Sequence, residues 1–351
     1  MSGPKRQATH AILAALVLSV CGGLYRSGEL SAAPDTAEAL DTAEAPDTAK
    51  AEPSGTPDST SSLYELRTES ILDRETLEAA GIRRPTRLSY DSDGNLHVLD
   101  AETRRVTKLD PRGHVLYEVG GYGSDETSLE LPVDIVVDRD QSLLVLDRGR
   151  GALVAFDRSG RFLGQRPFQG AAAEESRGAG ARILLDRLGT LWLLSAHARD
   201  LIPLDDRLKP ARATRYLVPE DSVGAPIAAA ASPGGEVWIW DSTRGTLRRF
   251  AATGRWAFSS VMSRKPEEMT VSDLAADRAG YLYAADPVGQ RVLVFAPDGS
   301  PQVNRALGGD RIHWRPRALA IGPRRQVAVA DPERDEIQVL VPVWRKWTLR
   351  Q

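Results

Sequence analysis

A short apolar run with a polar end recurs at nearly regular intervals along this chain of 351 residues. The end positions are Asp100, Asp147, Ser195, Asp241, Asp286 and Asp331. Successive ends lie 47, 48, 46, 45 and 45 residues apart. Most copies also carry proline fifteen positions before the end and glycine six positions before it. A period of this length indicates repeated units that bury their apolar surfaces against one another.

Each repeat contains four short segments with the composition of strands. An apolar segment follows the proline, a glycine turn leads into the run that ends in aspartate, and two more segments follow, joined by a second glycine turn. Four short antiparallel strands in such a unit are typical of a propeller blade. We therefore predict an all-β fold over residues 63–351, a six-bladed β-propeller of four-stranded blades. The blades start near residues 85, 132, 180, 226, 271 and 316.

The fifth repeat shows what these units are similar to. It reads Tyr281-Leu-Tyr-Ala-Ala-Asp286 and then Arg291-Val-Leu-Val-Phe-Ala-Pro-Asp-Gly299. Both segments resemble the NHL repeat, and the resemblance covers about residues 85–343. It implies a six-bladed propeller of an exported bacterial protein. The third repeat departs from the pattern, because Ser195 and Leu208 replace the usual aspartate and glycine. We expect the third blade to be the most irregular.

The ring needs one further strand to close. The sixth repeat has three recognisable strands, whereas the alternating segment at 63–69 lies upstream of the first repeat without a partner. We predict that 63–69 forms the outer strand of the last blade, which removes two open sheet edges. Residues 344–347 are the alternative closing segment. Residues 73–83 between the closing strand and the first blade have the composition of a short helix.

The amino-terminal region differs in kind from the rest. Residues 1–33 contain basic side chains followed by an apolar run, which indicates a signal peptide or a membrane anchor. Cleavage near residue 33, lipidation at Cys21 and retention as an anchor all remain open. Residues 34–62 form an acidic linker rich in Ala, Pro and Thr that cannot bury a core and should be disordered. We expect an exported protein, periplasmic or at the cell surface, that meets the membrane only through this segment.

Charge and cysteine content exclude several classes of protein. Residues 1–62 carry four basic and eight acidic side chains, a net charge of −4, so the −3 of the whole chain leaves about +1 for the remaining 289 residues. A nearly neutral repeat region argues against nucleic acid as a partner. A single cysteine excludes a disulfide framework. No P-loop, G-x-S-x-G or H-E-x-x-H motif is present, and we assign no catalytic residue.

The recurrent aspartates are interpreted as structural. An aspartate at the end of a strand can accept hydrogen bonds from the backbone N–H groups of the following loop. Because the residue recurs in five blades, a turn-building role is favoured over catalysis. The set comprises Asp100, Asp147, Asp241, Asp286 and Asp331.

Residues that do not repeat are better candidates for a site. Two positions after the start of each repeat, the predicted channel rim carries Arg87, Asp134, Arg182 and Asp273 in blades one, two, three and five, and alanine in the other two. One interpretation is a set of ion pairs that neutralises the channel. The other is a pocket selective for an ion or a charged ligand.

A second candidate surface is the face that carries the loops after the aspartates. Arginine and tryptophan often anchor interfaces. The candidate loop-face residues are Arg150, His197, Arg244, Arg311, His313 and Trp314. We predict that this face binds a protein, a peptide or an envelope glycan, without a cofactor.

The alternative function is a metal-dependent lyase, lactonase or other hydrolase with its site in the central channel. Peptide-amidating lyases resemble NHL propellers and hold zinc through histidines. Here only His197 and His313 fall in loops on one face, so a third ligand is not evident. If this alternative holds, calcium or zinc is the implied metal.

Overall fold

The computed structural model describes residues 64–211, 226–250, 256–261, 270–305 and 314–344. The predicted signal segment 1–33 and linker 34–62 lie outside these residues, as do Arg311 and His313. Within the described ranges, no helix has the length and apolar character needed to cross a membrane.

The described chain forms six antiparallel sheets arranged as the blades of a propeller. Blade one contains β2 (Pro85–Tyr90), β3 (Leu96–Asp100), β4 (Arg105–Leu109) and β5 (Val115–Gly120). Blade two contains β6 (Pro132–Val137), β7 (Leu143–Asp147), β8 (Ala152–Phe156) and β9 (Phe162–Pro167). Blade three contains β10 (Arg182–Leu185), β11 (Leu191–Ser195) and β12 (Asp200–Pro203).

The second half repeats this order. Blade four contains β13 (Pro226–Ala231), β14 (Val237–Asp241), β15 (Thr246–Phe250) and β16 (Trp256–Val261). Blade five contains β17 (Asp273–Ala276), β18 (Leu282–Asp286), β19 (Arg291–Phe295) and β20 (Pro301–Arg305). Blade six contains β21 (Ala318–Ile321), β22 (Val327–Asp331) and β23 (Glu336–Trp344), joined by β1 (Tyr64–Leu72). The all-β, six-bladed prediction is confirmed.

The closing strand pairs as the sequence predicted. Strand β1 runs antiparallel to β23, with Tyr64 opposite Trp344 and Leu72 opposite Ile337. Of the alternative closing segment 344–347, Trp344 is the last residue of β23, and residues 345–347 lie outside the described residues. The helical segment after β1 is α1 (Arg74–Ala79), whose N-cap Asp73 accepts a hydrogen bond from the Thr76 N–H. The sixth blade thus closes the ring by pairing the first described strand, β1, with the last, β23.

Blade three departs from the repeat among the described residues. It contains three strands, and an isolated bridge between Leu204 and Pro210 follows them. A second short helix, α2 (Ala171–Glu175), precedes it. The insertion of α2 was not predicted, because its Ala-rich segment has no counterpart in the other repeats.

The core lies between neighbouring blades. The second strand of every blade is buried along its full length, for example Leu143–Asp147. Near the axis the blades crowd together, and small side chains such as Ala228, Ala318 and Ala320 are buried there. The helix α1 adds Leu77 to the cluster that joins blades one and six.

Two faces of the propeller follow from the direction of the strands. The turn face carries the hairpins between the first and second strands and between the third and fourth. The loop face carries the connection after each repeat end and the crossing to the next blade. On the loop face, the residue four positions after each repeat end has a φ between 51° and 61°. These left-handed residues are Arg104, Gly151, Arg199, Gly245, Gln290 and Asp335.

Candidate functional site

The repeat aspartates hold together the loop-face end of each blade. One oxygen of Asp100 accepts the Arg83 N–H at 2.7 Å, before the innermost strand. Its other oxygen accepts the N–H groups of Glu102 at 2.7 Å and Thr103 at 3.1 Å, in the loop that follows. Equivalent backbone bonds reach the carboxylates of Asp147, Asp241, Asp286 and Asp331. This is the arrangement that the recurrence of aspartate predicted.

Blade three rebuilds the same corner with different residues. The Ser195 hydroxyl accepts the Ala198 N–H at 2.9 Å, as a repeat aspartate would, and donates to the Glu175 carboxylate. Glu175 comes from α2, and its other oxygen lies 3.3 Å from His197 Nδ1. Serine and glutamate together therefore replace one aspartate. The sequence did not reveal Glu175, because the repeat pattern does not cover the crossing that forms α2.

The structure brings together the four residues predicted at the channel rim. Arg182 lies between the two carboxylates: its Nε donates to Asp134 Oδ2 at 3.0 Å, and its Nη2 donates to Asp273 Oδ1 at 2.6 Å. Arg87 Nε lies 3.6 Å from Asp134 Oδ1. The four charges sum to zero and form a chain in the order Arg87, Asp134, Arg182, Asp273.

Both carboxylates also cap backbone donors of the innermost strands. Asp134 accepts the N–H of the next residue, Ile135, at 3.1 Å and that of Ile183 in the following blade at 2.9 Å. Asp273 does the same for Leu274 at 3.0 Å and for Leu319 at 2.9 Å. The innermost edge of a blade has no further strand to pair with, so these side chains satisfy donors that would otherwise be unpaired.

The two arginines of the rim are not equivalent. Burial opposes the charge of Arg182, but the charges of Asp134 and Asp273 and their hydrogen bonds outweigh it and raise its pKa. Burial lowers the pKa of Arg87 to about 10, and the positive charge of Arg182 acts in the same direction. Arg87 Nη1 donates to the Thr86 carbonyl oxygen at 2.6 Å, whereas its buried Nε has no acceptor within hydrogen-bond distance among the described residues. Arg87 therefore makes fewer hydrogen bonds than Arg182.

A cavity of about 270 Å³ adjoins the rim and is lined by the innermost strands. Its polar lining residues are the four rim residues together with Ser89 and Tyr90. Every other lining residue is aliphatic, among them Val136 and Leu184. The cavity thus has one charged end and an otherwise apolar wall.

The rim does not suit calcium or zinc. The oxygens of Asp134 and Asp273 are already occupied by backbone N–H groups and by Arg182, and a cation there would also face Arg87. Among the described residues, histidines do not converge on the channel either: His97 is buried against Tyr117, His114 lies beside Asp110, and His197 pairs with Glu175. Across the described ranges, no three His, Cys, Asp or Glu side chains are grouped in a way that could hold a metal ion.

The loop-face candidates have unequal surroundings. Arg150 is half-buried and held by hydrogen bonds to Gln165 Oε1 at 3.0 Å and to Ser128 Oγ at 2.9 Å. Arg244 and His197 are exposed. Trp314 is only 1% exposed and packs with Tyr283 in the core between blades five and six, so it offers no surface for a partner. This burial corrects the expectation for Trp314; the tryptophan anchors the entry into the last blade.

The structure adds a loop-face residue that the repeat pattern does not indicate. Tyr122 is 69% exposed, yet its hydroxyl donates to the Glu102 carbonyl oxygen at 2.8 Å. The guanidinium carbon of Arg104 lies 4.5 Å from the centre of its ring. Its signal in the sequence is a single aromatic residue within the glycine-rich segment 120–123.

Comparisons with known proteins show the fold. No protein-family model matches the chain, and a search of curated proteins found no match. Among solved structures, a streptogramin B lyase is similar with a TM-score of 0.59 and 12% identity over 81% of this chain and 100% of that one. The Cps50 (Swd1) propeller domain of Myceliophteria thermophila gives 0.57 and 12%, over 79% and 99% of the two chains.

A third similar structure is the calcium-binding protein regucalcin of Agrobacterium tumefaciens. It gives a TM-score of 0.54 and 14% identity over 76% of this chain and 92% of that one. At such identities the likeness extends to the architecture and not to the site. The comparisons therefore support a β-propeller architecture, and the six blades are counted from the sheets of this chain itself.

Proposed function

We propose that this protein is an exported NHL-type propeller that binds a protein or peptide through its loop face, without catalysing a reaction. The N-terminal apolar segment delivers it to the periplasm or cell surface, and the acidic linker separates the propeller from the membrane. An envelope glycan is the other class of partner that such a surface can accept, and the sensitivity of binding to protease or glycosidase distinguishes the two.

One observation carries this proposal: the exposed but fixed ring of Tyr122. Its hydroxyl bond to the Glu102 carbonyl and its stacking with Arg104 hold the side chain in one place before any partner arrives. Tyrosine and arginine are enriched among the residues that dominate binding energy. A side chain that is already ordered loses less conformational entropy on binding, which favours affinity.

The channel rim supports a binding role over catalysis. A general acid or base must have a protonation state and an orientation free to act on a substrate. Asp134 and Asp273 instead accept backbone N–H groups and the guanidinium of Arg182. Their hydrogen-bonding capacity serves the fold.

Affinity capture with the immobilised full-length protein tests this function. Wild type, Tyr122→Ala and the control Leu188→Ala are exposed to an envelope extract of the source organism. Leu188 is 83% exposed on the turn face, so it matches Tyr122 in accessibility but not in position. We expect Tyr122→Ala to weaken capture by roughly tenfold or more, as for an interface hot spot, and Leu188→Ala to leave it unchanged. Protease treatment of the extract should abolish capture, and glycosidase treatment should not.

The opposite pattern contradicts the proposal. If Leu188→Ala reduces capture and Tyr122→Ala does not, the partner binds the turn face. If glycosidase alone abolishes capture, the partner is a glycan. Thermal unfolding of both variants should match that of wild type, which separates lost binding from lost folding.

A further inference from the structure

We propose that the channel cavity binds a small organic carboxylate, with its charged group on Arg87 and its apolar part along the innermost strands. This site is separate from the loop-face surface around Tyr122 and takes a different class of ligand. It rests on the hydrogen-bonding state of Arg87, on the saturation of the neighbouring carboxylates, and on the chemistry and size of the cavity.

Arg87 has donors to spare. A guanidinium has five N–H groups, and among the described residues that of Arg87 makes a single hydrogen bond, to the Thr86 carbonyl oxygen at 2.6 Å. Its Nε is buried and lacks an acceptor within bonding distance there, and the Asp134 oxygen nearest to it is 3.6 Å away. Buried donors without acceptors carry a desolvation cost that a bound anion would remove.

The nearby carboxylates do not prevent an anion from binding. Arg182 neutralises the charges of Asp134 and Asp273 directly, with N–O distances of 3.0 and 2.6 Å. Each carboxylate also accepts backbone N–H groups from its own blade and from the following blade. The positive charge at Arg87 is therefore the least compensated charge of the four-residue chain. A cation in the same place would meet two guanidinium groups, so the site discriminates by the sign of the charge.

The wall beyond the rim suits an apolar group. Two positions further along the innermost strands, the lining residues are Ser89, Val136, Leu184, Ala230, Ala275 and Ala320. Ser89 is the single polar residue at this level and lies on the same strand as Arg87. A ligand carboxylate paired with Arg87 would lie close to the Ser89 hydroxyl, and the hydrocarbon part of the ligand would contact the aliphatic side chains beyond.

The size of the cavity sets the size of the ligand. A cavity of about 150 Å³ holds benzene, and the channel cavity is about 270 Å³. A ligand of roughly ten non-hydrogen atoms therefore fits. Inorganic phosphate would satisfy the guanidinium but would leave the aliphatic wall unused, which favours a carboxylate with a hydrocarbon part.

Calorimetric titration of the full-length protein with four probes tests this proposal. Hexanoate, hexan-1-ol and hexylamine share one hydrocarbon chain and differ in head group, and inorganic phosphate supplies charge without a chain. We expect hexanoate to bind most tightly and hexylamine not to bind. Arg87→Gln should weaken hexanoate binding by about tenfold or more, since it removes a charge-assisted pair.

Two further variants keep the test sharp. Arg84→Gln removes an exposed arginine three residues away and should leave binding unchanged. Val136→Phe fills the cavity without touching Arg87 and should abolish binding of every probe. The proposal is overturned if hexanoate fails to bind at roughly 10 mM, if Arg87→Gln binds it as wild type does, or if phosphate binds as tightly as hexanoate. Circular dichroism of each variant confirms that it is folded.

Discussion

The two faces of the propeller are built in different ways. On the turn face, one device recurs: an aspartate accepts the backbone N–H groups two and four residues later. The aspartates that do so are Asp91, Asp110, Asp157, Asp186, Asp205 and Asp277. The loop face repeats its corner aspartates but also carries features that are not repeated among the described residues, such as Tyr122 and the charged rim. Repetition thus marks what every blade needs, whereas an exposed singular residue such as Tyr122 marks where a partner is to be sought.

The largest effect on stability is expected from replacing Arg182, which lies at the loop-face end of the channel. Replacing it by leucine leaves Asp134 and Asp273 buried without their cation. We expect the free energy of unfolding in urea to fall by about 3–5 kcal/mol. The control is Arg84→Leu, which alters an exposed side chain and should stay within about 0.5 kcal/mol of wild type. A loss below about 1 kcal/mol for Arg182→Leu would mean that the rim behaves like a surface ion pair.

The second test concerns a buried ionisable side chain near the turn face, that of His97. His97 is fully buried in blade one, and burial followed by the charge of Lys108 lowers its pKa from 6.5 to about 4. Between these pH values the unfolded chain binds a proton that the folded protein does not. The contribution of neutral His97 to the free energy of unfolding is therefore fully present above about pH 6.5. It declines as the pH falls towards about 4, by up to about 3 kcal/mol.

His97→Leu isolates this contribution, because blade two has Leu144 at the equivalent position. Urea unfolding at pH 7 and at pH 4.5 measures it. We expect the variant to lose about 2 kcal/mol less than wild type over this range. Equal losses in the two proteins would show that other groups govern the acid sensitivity.

A third test removes one copy of the turn-face device. Asp186 accepts the N–H groups of Leu188 and Thr190 and the indole N–H of Trp192. We expect Asp186→Ala to cost about 1–2 kcal/mol in urea unfolding. Asp140→Ala, in the corresponding hairpin of blade two, alters an exposed aspartate and should have almost no effect. Similar losses in both would show that the device does not stabilise the turn.

The smallest expected effect concerns backbone strain on the loop face. Arg199 has a φ of 54°, and Gly245 occupies the equivalent position in blade four with a φ of 61°. We expect Arg199→Gly to stabilise the protein by about 0.5–1 kcal/mol, because glycine adopts this conformation without a steric cost. The reverse change, Gly245→Arg, should destabilise it by a similar amount. Thermal unfolding of the two variants measures both, and shifts of the same sign would contradict this explanation.

The sequence could predict whatever repeats. Six copies in register are enough to number the blades, place the corner aspartates and bring Arg87 to the same level as Asp273, because equivalent positions of a ring lie at equal heights. It could not reveal Glu175, which comes from an insertion. Nor could it reveal the left-handed position after each corner, since only Gly151 and Gly245 show it by residue type.

Trp314 shows a different limit. It lies two residues before Pro316, where the pattern predicts a loop, and loop tryptophans suggest exposed anchors. Its burial depends on side chains such as Tyr283 from the preceding blade. Side-chain contacts between repeats depend on how the blades pack around the ring. The residue pattern within one repeat does not predict them.

The central claim is that the singular residues of the loop face, and not the repeated turns, meet the partner. Site-specific photocrosslinking tests it most directly. A photoreactive phenylalanine analogue is placed in the full-length protein at position 122 or at position 188, and the protein is irradiated in an envelope extract. We predict a discrete, protease-sensitive adduct from position 122 and none from position 188. An adduct that forms from position 188 alone, or equally from both positions, would contradict the claim.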